Sequence, residues 1–233
     1  MNYIIIPVSV GIGMTAACLE SLVNQDIDGG VTLVVIDNGS HDGVGHYLRS
    51  LHDIVLMSYA KPRSLNYVWN RSLRWVFESQ AQDHVLVVNN DTVLHPATYR
   101  LLLADGGQFV TAVGQDRPVM LDDVDEAKLK SRPHPDFSCF MMRRAVWETV
   151  GMFDESFWVY SSDGDMHLRM HRMGIDAISL NVPFYHIASG TLKQTDDATR
   201  EFICRKSDQD REMFIKKWGC AVGSPEYYSM FER

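Results

Sequence analysis

The chain has 233 residues, 45% of them apolar and 22% charged, and a formal net charge of −8. That is enough chain for one large domain with a true core. The acidic balance argues against tight, sequence-independent nucleic-acid binding, which rests on basic surface. No run reaches the ~18–20 apolar residues of a membrane span, and the opening run, residues 3–10, is too short for a signal peptide. Cys18, Cys139, Cys204 and Cys220 make no CxxC pair and no zinc-spaced cluster. Buried or free thiols in a reducing, cytoplasmic setting are therefore expected.

In chain order, residues 3–8 form an Ile-rich apolar run that predicts a strand buried on both faces. Gly11 and Gly13 break it, and the apolar spacing over 15–24 predicts a helix. A second buried strand is expected at 31–36, a short helix at 41–51 and a third strand at 54–59. A helix at 65–78 would turn Leu65, Val68, Trp69, Leu73, Val76 and Phe77 inward. A fourth strand at 85–88 runs into Asn89-Asn90-Asp91, and His95-Pro96 predicts the start of another helix. A fifth strand is expected at 109–113. This β–α alternation implies an α/β fold, with a mostly parallel central sheet and helices on both faces.

Residues 115–136 carry few apolar and many charged side chains, which predicts a long mobile loop of the lid or binding kind. Beyond it the sequence predicts a strand at 137–142, a helix at 144–150, an irregular aromatic stretch at 151–162 and a helix at 163–173 stopped by Gly174. Two short strands, 177–180 and 183–186, and a helix at 198–218 complete the chain.

Polar groups gather where strands end or helices begin. Asp37, in Asp37-Asn38-Gly39-Ser40, could accept hydrogen bonds from a base or ribose, or simply close an Asx turn. Asn89-Asn90-Asp91-Thr92 offers the oxygen ligands that Mg²⁺ or Mn²⁺ prefers, or a helix cap. Asp163 lies near a helix N-terminus, where the dipole favours its ionised form; it could be a general base or a cap. His186 could be a metal ligand or a satisfied core histidine. One motif competes with these. Gly11-Ile12-Gly13-Met14-Thr15-Ala16, with Asp37 downstream, fits a dinucleotide-binding fingerprint and would suit an NAD(P)-dependent oxidoreductase. That reading leaves the Asn89–Asp91 and Asp163–Asp165 clusters without a purpose.

The order of motifs resembles the family 2 glycosyltransferases of the GT-A fold, especially their rhamnosyltransferase-like members, from about Tyr3 to Thr191. The motifs are Leu19-Glu20-Ser21-Leu22, Val34-Val35-Ile36-Asp37-Asn38-Gly39-Ser40-His41-Asp42, Asn66 to Asn70, and Val88-Asn89-Asn90-Asp91-Thr92. They continue with Arg143-Arg144 through Val150-Gly151-Met152-Phe153-Asp154-Glu155-Ser156-Phe157. Ser162-Asp163-Gly164-Asp165 to Arg169 and Gly174 follow, and then His186-Ile187-Ala188-Ser189-Gly190-Thr191. Two departures stand out: Ser162 replaces the acidic residue usual before Asp163, and the first-strand loop, with Gly11 and Gly13, lacks the usual Asn after the strand. The helix segment 66–70 is also shortened and lacks its glycine.

The resemblance implies a single Rossmann-like GT-A domain over 1–233. Residues 1–113 would form the nucleotide-sugar and metal half, 114–191 the acceptor and catalytic half, and 192–233 a C-terminal helical segment. It also implies an inverting transfer from a UDP- or dTDP-type donor to an acceptor hydroxyl. Asp163 would be the catalytic base, and Asp91 and His186 would hold Mn²⁺ or Mg²⁺. Donor contacts would come from Pro7, Val8, Asp37, Asn38, Asn66, Asn70, Asn89 and Asn90, and acceptor contacts from Ser138, Trp158 and Asp165. The acceptor stays open among a glycan, a lipid-linked sugar, a protein hydroxyl and a modified base. A catalytically silent sugar-nucleotide-binding protein is the remaining alternative.

Overall fold

The computed structural model describes residues 2–132, 135–187 and 190–232. Strand β1 (Asn2–Val8) sends Ile4, Ile6 and Val8 into one core and Tyr3 and Ile5 into another, as the two-residue period of a strand requires. Strands β2 (Val31–Asn38) and β4 (His84–Val88) divide in the same way. The first core is covered by α1 (Ile12–Val23), α2 (Val44–Ser50) and α4 (Thr98–Asp105). The second lies under α3 (Leu65–Arg74), α5 (Arg144–Val150) and α6 (Ser162–Arg172). Helices thus cover both faces of the sheet.

The remaining strands are β3 (Ile54–Tyr59), β5 (Thr92–Leu94), β6 (Phe109–Gln115), β7 (Ser131–Arg132), β8 (Cys139–Arg143) and β9 (Ala177–His186). The nine-stranded sheet has the order β3-β2-β1-β4-β8-β6-β9-β5, with β7 added on β9. β1, β2, β3, β4, β6 and β9 run one way, while β5, β7 and β8 run the other. The carboxyl ends of β1, β2, β4 and β9 therefore meet the amino ends of β5 and β8 at one edge. Open α/β sheets bind their ligands at such an edge.

The structure departs from the sequence expectations at several elements. Residues 92–94 form a strand, and the following helix begins only at Thr98. The two strands expected at 177–180 and 183–186 are one, β9, which pairs with β6 across a register shift between Thr111 and Val113. Helix α3 passes into a π-helical turn, Trp75–Ser79. Residues 115–132, expected to be mobile, carry local order. Arg117 makes two hydrogen bonds to Asp123, of 2.7 and 2.9 Å, Arg100 reaches Glu126 at 2.6 Å, and β7 joins the sheet.

A third core joins the aromatic stretch after α5 to α6, α8 (Asp197–Trp218) and α9 (Pro225–Ser229) through Phe157, Leu168, Phe214, Trp218 and Tyr227. Asp165 lies inside this region, fully buried. Its carboxylate accepts from Arg169 Nε at 2.9 Å and Trp218 Nε1 at 2.9 Å, and meets Lys217 Nζ at 2.7 Å. Cys18, Cys139 and Cys220 are buried and Cys204 is exposed, all as free thiols. Burial pushes the Cys18 thiol up to about 12, so it is inert near neutral pH. Among the described residues no helix is long and apolar enough to cross a membrane.

Candidate active site

A cavity of about 1120 Å³ opens along the carboxyl edge of the sheet. Strand β4 delivers Asn89, Asn90 and Asp91 to it. Asn90 is occupied by the fold, since its Nδ2 donates to the Val10 carbonyl at 3.0 Å and to Thr15 Oγ1 at 2.9 Å. The Asn89 backbone is also engaged: its amide donates to the Ser138 carbonyl at 2.9 Å, and its carbonyl accepts from Thr92 Oγ1 at 2.8 Å. The triplet therefore fixes its own backbone and presents a single carboxylate, that of Asp91.

β5 begins immediately after Asp91 and pairs with β9, so that Thr92 lies opposite His186. The Ile187 amide donates to the Asp91 carbonyl at 2.9 Å. This short ladder brings His186 Nε2 to 3.5 Å from Asp91 Oδ1. The hydrogen bond to Asp91 raises the His186 pKa against the effect of burial, and the charges of Asp91 and Asp136 add to the rise. Among the described residues no group of three or more His, Cys, Asp or Glu side chains converges as a metal site. A carboxylate and an imidazole this close fit two sites on one divalent cation, and the remaining positions suit water or phosphate oxygens. Ala188 and Ser189, in the expected motif after His186, lie outside the described residues.

Asp163 stands in the first turn of α6, after Ser161 in a left-handed conformation (φ 61°). Its Oδ1 accepts from the Gly164 amide at 2.9 Å. The residue is exposed, and its surface opens into the cavity. The protein packed around the cavity partly desolvates its carboxyl and pushes it above the ordinary carboxylate range, the nearby charge of Asp136 adds to the rise, and the Gly164 hydrogen bond opposes it. Asp136 also lines the cavity, anchored by the Ser138 amide at 2.9 Å and the Gly114 amide at 3.2 Å. Nothing in the sequence marked Asp136, because it closes a segment whose charges looked like solvated loop.

Pro7, Val8, Asn38 and Gly39 line the cavity at the ends of β1 and β2. Asn38 and Arg63 exchange hydrogen bonds of 3.0 and 2.9 Å, which tie β2 to residues 61–63. Gly39 has φ +70°, and a Cβ there would lie 2.5 Å from Pro62 N, so this close turn requires glycine. Lys61 and Arg63 bring positive charge to this side.

Four of the expected site residues sit elsewhere. Asp37 is absent from the cavity lining; its Oδ1 accepts from the Ser40 amide at 3.0 Å and its Oδ2 lies 3.8 Å from Arg49 Nη1. Asn66 donates to the Asp154 carbonyl at 2.7 Å. Asn70 bonds to both the carbonyl and the amide of Phe153, each at 2.9 Å. These two asparagines hold the 153–155 loop against α3, and it is Leu65 and Trp69 of that helix that line the cavity. Asp165 does not reach the cavity, because burial and three donors commit it to the third core. Ser138 and Trp158 do line it.

Residues 192–203, from the end of α7 (Gly190–Gln194) and the start of α8, also line the cavity, and the sequence did not mark them. Further along α8, the buried Asp210 accepts from three consecutive backbone amides: Trp158 at 2.8 Å, Val159 at 2.8 Å and Tyr160 at 2.9 Å. One carboxylate thereby fixes the stretch leading into Asp163.

The glycine turn after β1 is closed by protein. The Gly11 amide donates to Asp42 Oδ2 at 2.6 Å, and a Cβ on Gly11 would lie 2.4 Å from Met14 Cε and 2.7 Å from Gln194 Oε1. Gly11 is also absent from the cavity lining. The dinucleotide reading of Gly11–Ala16 is corrected on this ground: the amide that would meet a pyrophosphate is taken by Asp42.

A sheet of this order, with helices on both faces and its cavity at the carboxyl edge, defines a GT-A glycosyltransferase fold. The chain belongs to glycosyl transferase family 2, whose family model matches residues 3–169. Three solved structures share the fold. The mannosyltransferase PcManGT of Pyrobaculum calidifontis, in complex with GDP-Man and Mn²⁺, is 19% identical with a TM-score of 0.63, over 99% of this chain and 68% of that one. GalNAc-T7 with UDP, GalNAc and Mn²⁺ is 9% identical with a TM-score of 0.64, over 100% of this chain and 54% of that one. TarS of S. aureus is 15% identical with a TM-score of 0.58, over 92% of this chain and 44% of that one. This chain thus spans about half the length or less of the last two. No curated protein sequence matches it.

Proposed function

We propose that this glycosyltransferase is inverting and divalent-metal-dependent, moving a sugar from a UDP- or dTDP-type nucleotide to an acceptor hydroxyl. The observation that carries the reading is the opening of Asp163, Asp91 and His186 into one cavity. Asp91 and His186 would hold Mn²⁺ or Mg²⁺, which when bound offsets charge on the leaving diphosphate. Two structural relatives, complexed with nucleotides or nucleotide sugars and Mn²⁺, support that choice. Pro7, Val8 and Asn38 would line the base, Asn89 and Asn90 would shape the floor beside Asp91, and Lys61 and Arg63 would attract the anionic donor. Asp37 would act through the turn it closes. Residues 1–113 would form most of the donor half, and 114–191 would carry the base and Ser138. Asp163 takes the proton of the attacking hydroxyl at a carboxylate oxygen, and inversion needs no further nucleophile from the chain.

Chelation by EDTA is expected to stop transfer, and Mn²⁺ or Mg²⁺ to restore it. In a thermal-shift screen, UDP- or dTDP-sugars should raise the unfolding midpoint more with Mn²⁺ than without, because a ligand of the native state stabilises it. Full transfer in EDTA would remove the metal role of Asp91 and His186.

A second expectation follows from the raised Asp163 carboxyl. The base works only when ionised, so activity should be present above its pKa and lost as pH falls through it. The acid limb of the kcat/KM profile should lie above the ordinary Asp value of about 3.9. A limb at that ordinary value would show that the site does not desolvate Asp163.

A further inference from the structure

The cavity lining is divided by charge. Its acidic, basic and imidazole side chains (His41, Lys61, Arg63, Asp91, Asp136, Asp163 and His186) come from the sheet edge, the turns beside it and the first turn of α6. The other side is built from the stretch before α6 and from residues 192–203, and contributes Trp158, Tyr160, Leu192, Ala198, Phe202 and Ile203. No charged side chain comes from these two segments to the described lining. Two threonines lie among them with their hydroxyls already engaged: Thr195 donates to the Leu192 carbonyl at 3.0 Å and Thr199 to Asp196 Oδ2 at 2.9 Å.

This apolar side is held in place. The rings of Trp158 and Phe202 meet edge to face at 5.4 Å. The Asp210 carboxylate fixes the backbone of 158–160, and the N-cap of α8, Asp196, lies 3.2 Å from His41 across the mouth. Residues 192–203 also fall outside the family match, which ends at 169. This side of the cavity is therefore built partly inside the family match, by Trp158 and Tyr160, and partly beyond it, by Leu192, Ala198, Phe202 and Ile203.

We infer that the acceptor is uncharged and carries an apolar ring or alkyl group next to its reactive hydroxyl, seated against Trp158, Tyr160 and Phe202. The inference rests on the proposed function, since it takes Asp163 as the point where the hydroxyl must arrive. The group that bears the hydroxyl then occupies the same cavity, whose lining Asp163 shares with Trp158, Tyr160 and Phe202. An aromatic and aliphatic surface gains from covering apolar area and ring faces. The nearest cation, Lys206, lies with its Nζ 5.1 Å from the Trp158 ring centre and 5.8 Å from that of Phe202, but it lines the neighbouring groove and not this cavity, so this side turns no cation toward a phosphate to offset its desolvation.

The test compares matched probes across glucosides, galactosides, mannosides and N-acetylglucosaminides, each as the phenyl glycoside, the methyl glycoside and the sugar 1-phosphate. Binding to the full chain is read by ligand-observed NMR with UDP and Mg²⁺ present. The phenyl member of each series should bind on the order of tenfold more tightly than its methyl partner, and the 1-phosphate most weakly. Phe202→Ala should erase most of that advantage; alanine is well tolerated in a helix, and an unchanged unfolding midpoint would show that the fold is intact. A phenyl member no tighter than its methyl partner in every series overturns the inference, as does a preference for the 1-phosphate or a phenyl advantage that survives Phe202→Ala. UDP binding is measured separately, so failure of the donor reading registers without disturbing the glycoside comparison.

Discussion

Asp163→Asn is expected to lower sugar transfer by about 10²–10⁴-fold, the usual contribution of a positioned general base, while the donor dissociation constant stays within about twofold. The amide keeps the size of the side chain and an oxygen that can still accept from the Gly164 amide, so the start of α6 should hold its shape. What is lost is the capacity to take a proton. Steady-state transfer assays and calorimetric titration of UDP with Mn²⁺ read the two effects apart. Equal transfer rates in variant and parent would remove Asp163 from the mechanism. A parent that binds donor and never turns it over would make the protein a sugar-nucleotide binder.

Asp210→Ala should have the largest effect on stability. It removes the acceptor of three amide hydrogen bonds at once. Hydrogen bonds to a charged group contribute about 1.5–3 kcal/mol each, but Val159 and Tyr160 are near enough to the surface for water to replace part of the loss. A net cost on the order of 3 kcal/mol is expected, a fall of roughly 6–12 °C in the unfolding midpoint for a domain of this size. Hydrogen exchange should quicken most at 158–160. Asp210→Asn, which keeps one carbonyl oxygen, should fall between. An unchanged midpoint in the alanine variant would mean that the three bonds are worth no more than their hydration.

The parallel half of the fold is written plainly in the chain. Residues 3–8, 33–36 and 85–88 are apolar without interruption because both of their faces are buried, and the strands form there. The three-residue β5 has no such signal. Thr92–Leu94 is too short to show a period, and it exists because β9, some ninety residues later, supplies its hydrogen bonds. That pairing is also what brings His186 to Asp91. The family resemblance implies that the two are close, whereas their separation along the chain carries no sign of it.

The same limit explains the asparagines. Asn66 and Asn70 are polar residues on a helix near the site, and the sequence cannot say that their amides face the 153–155 loop. Asp165, two residues from Asp163, differs from it in direction: one points into the cavity and the other into a core completed by Lys217 and Trp218. Asp136 and Asp210 escaped notice for a related reason. A single carboxylate in a charged loop or on the polar pattern of a long helix resembles its solvated neighbours until tertiary contacts single it out.

The clamp between Asp210 and residues 158–160 also bears on how portable this catalytic unit is. The family match stops at 169, which invites excision or fusion at that point. A fragment cut there would keep the donor edge, Asp91 and Asp163, but would lose the carboxylate that holds the backbone entering α6, together with His186. On the roles proposed for Asp163 and His186, a working module would extend through α8, and chimeras should exchange residues 158–218 as one block.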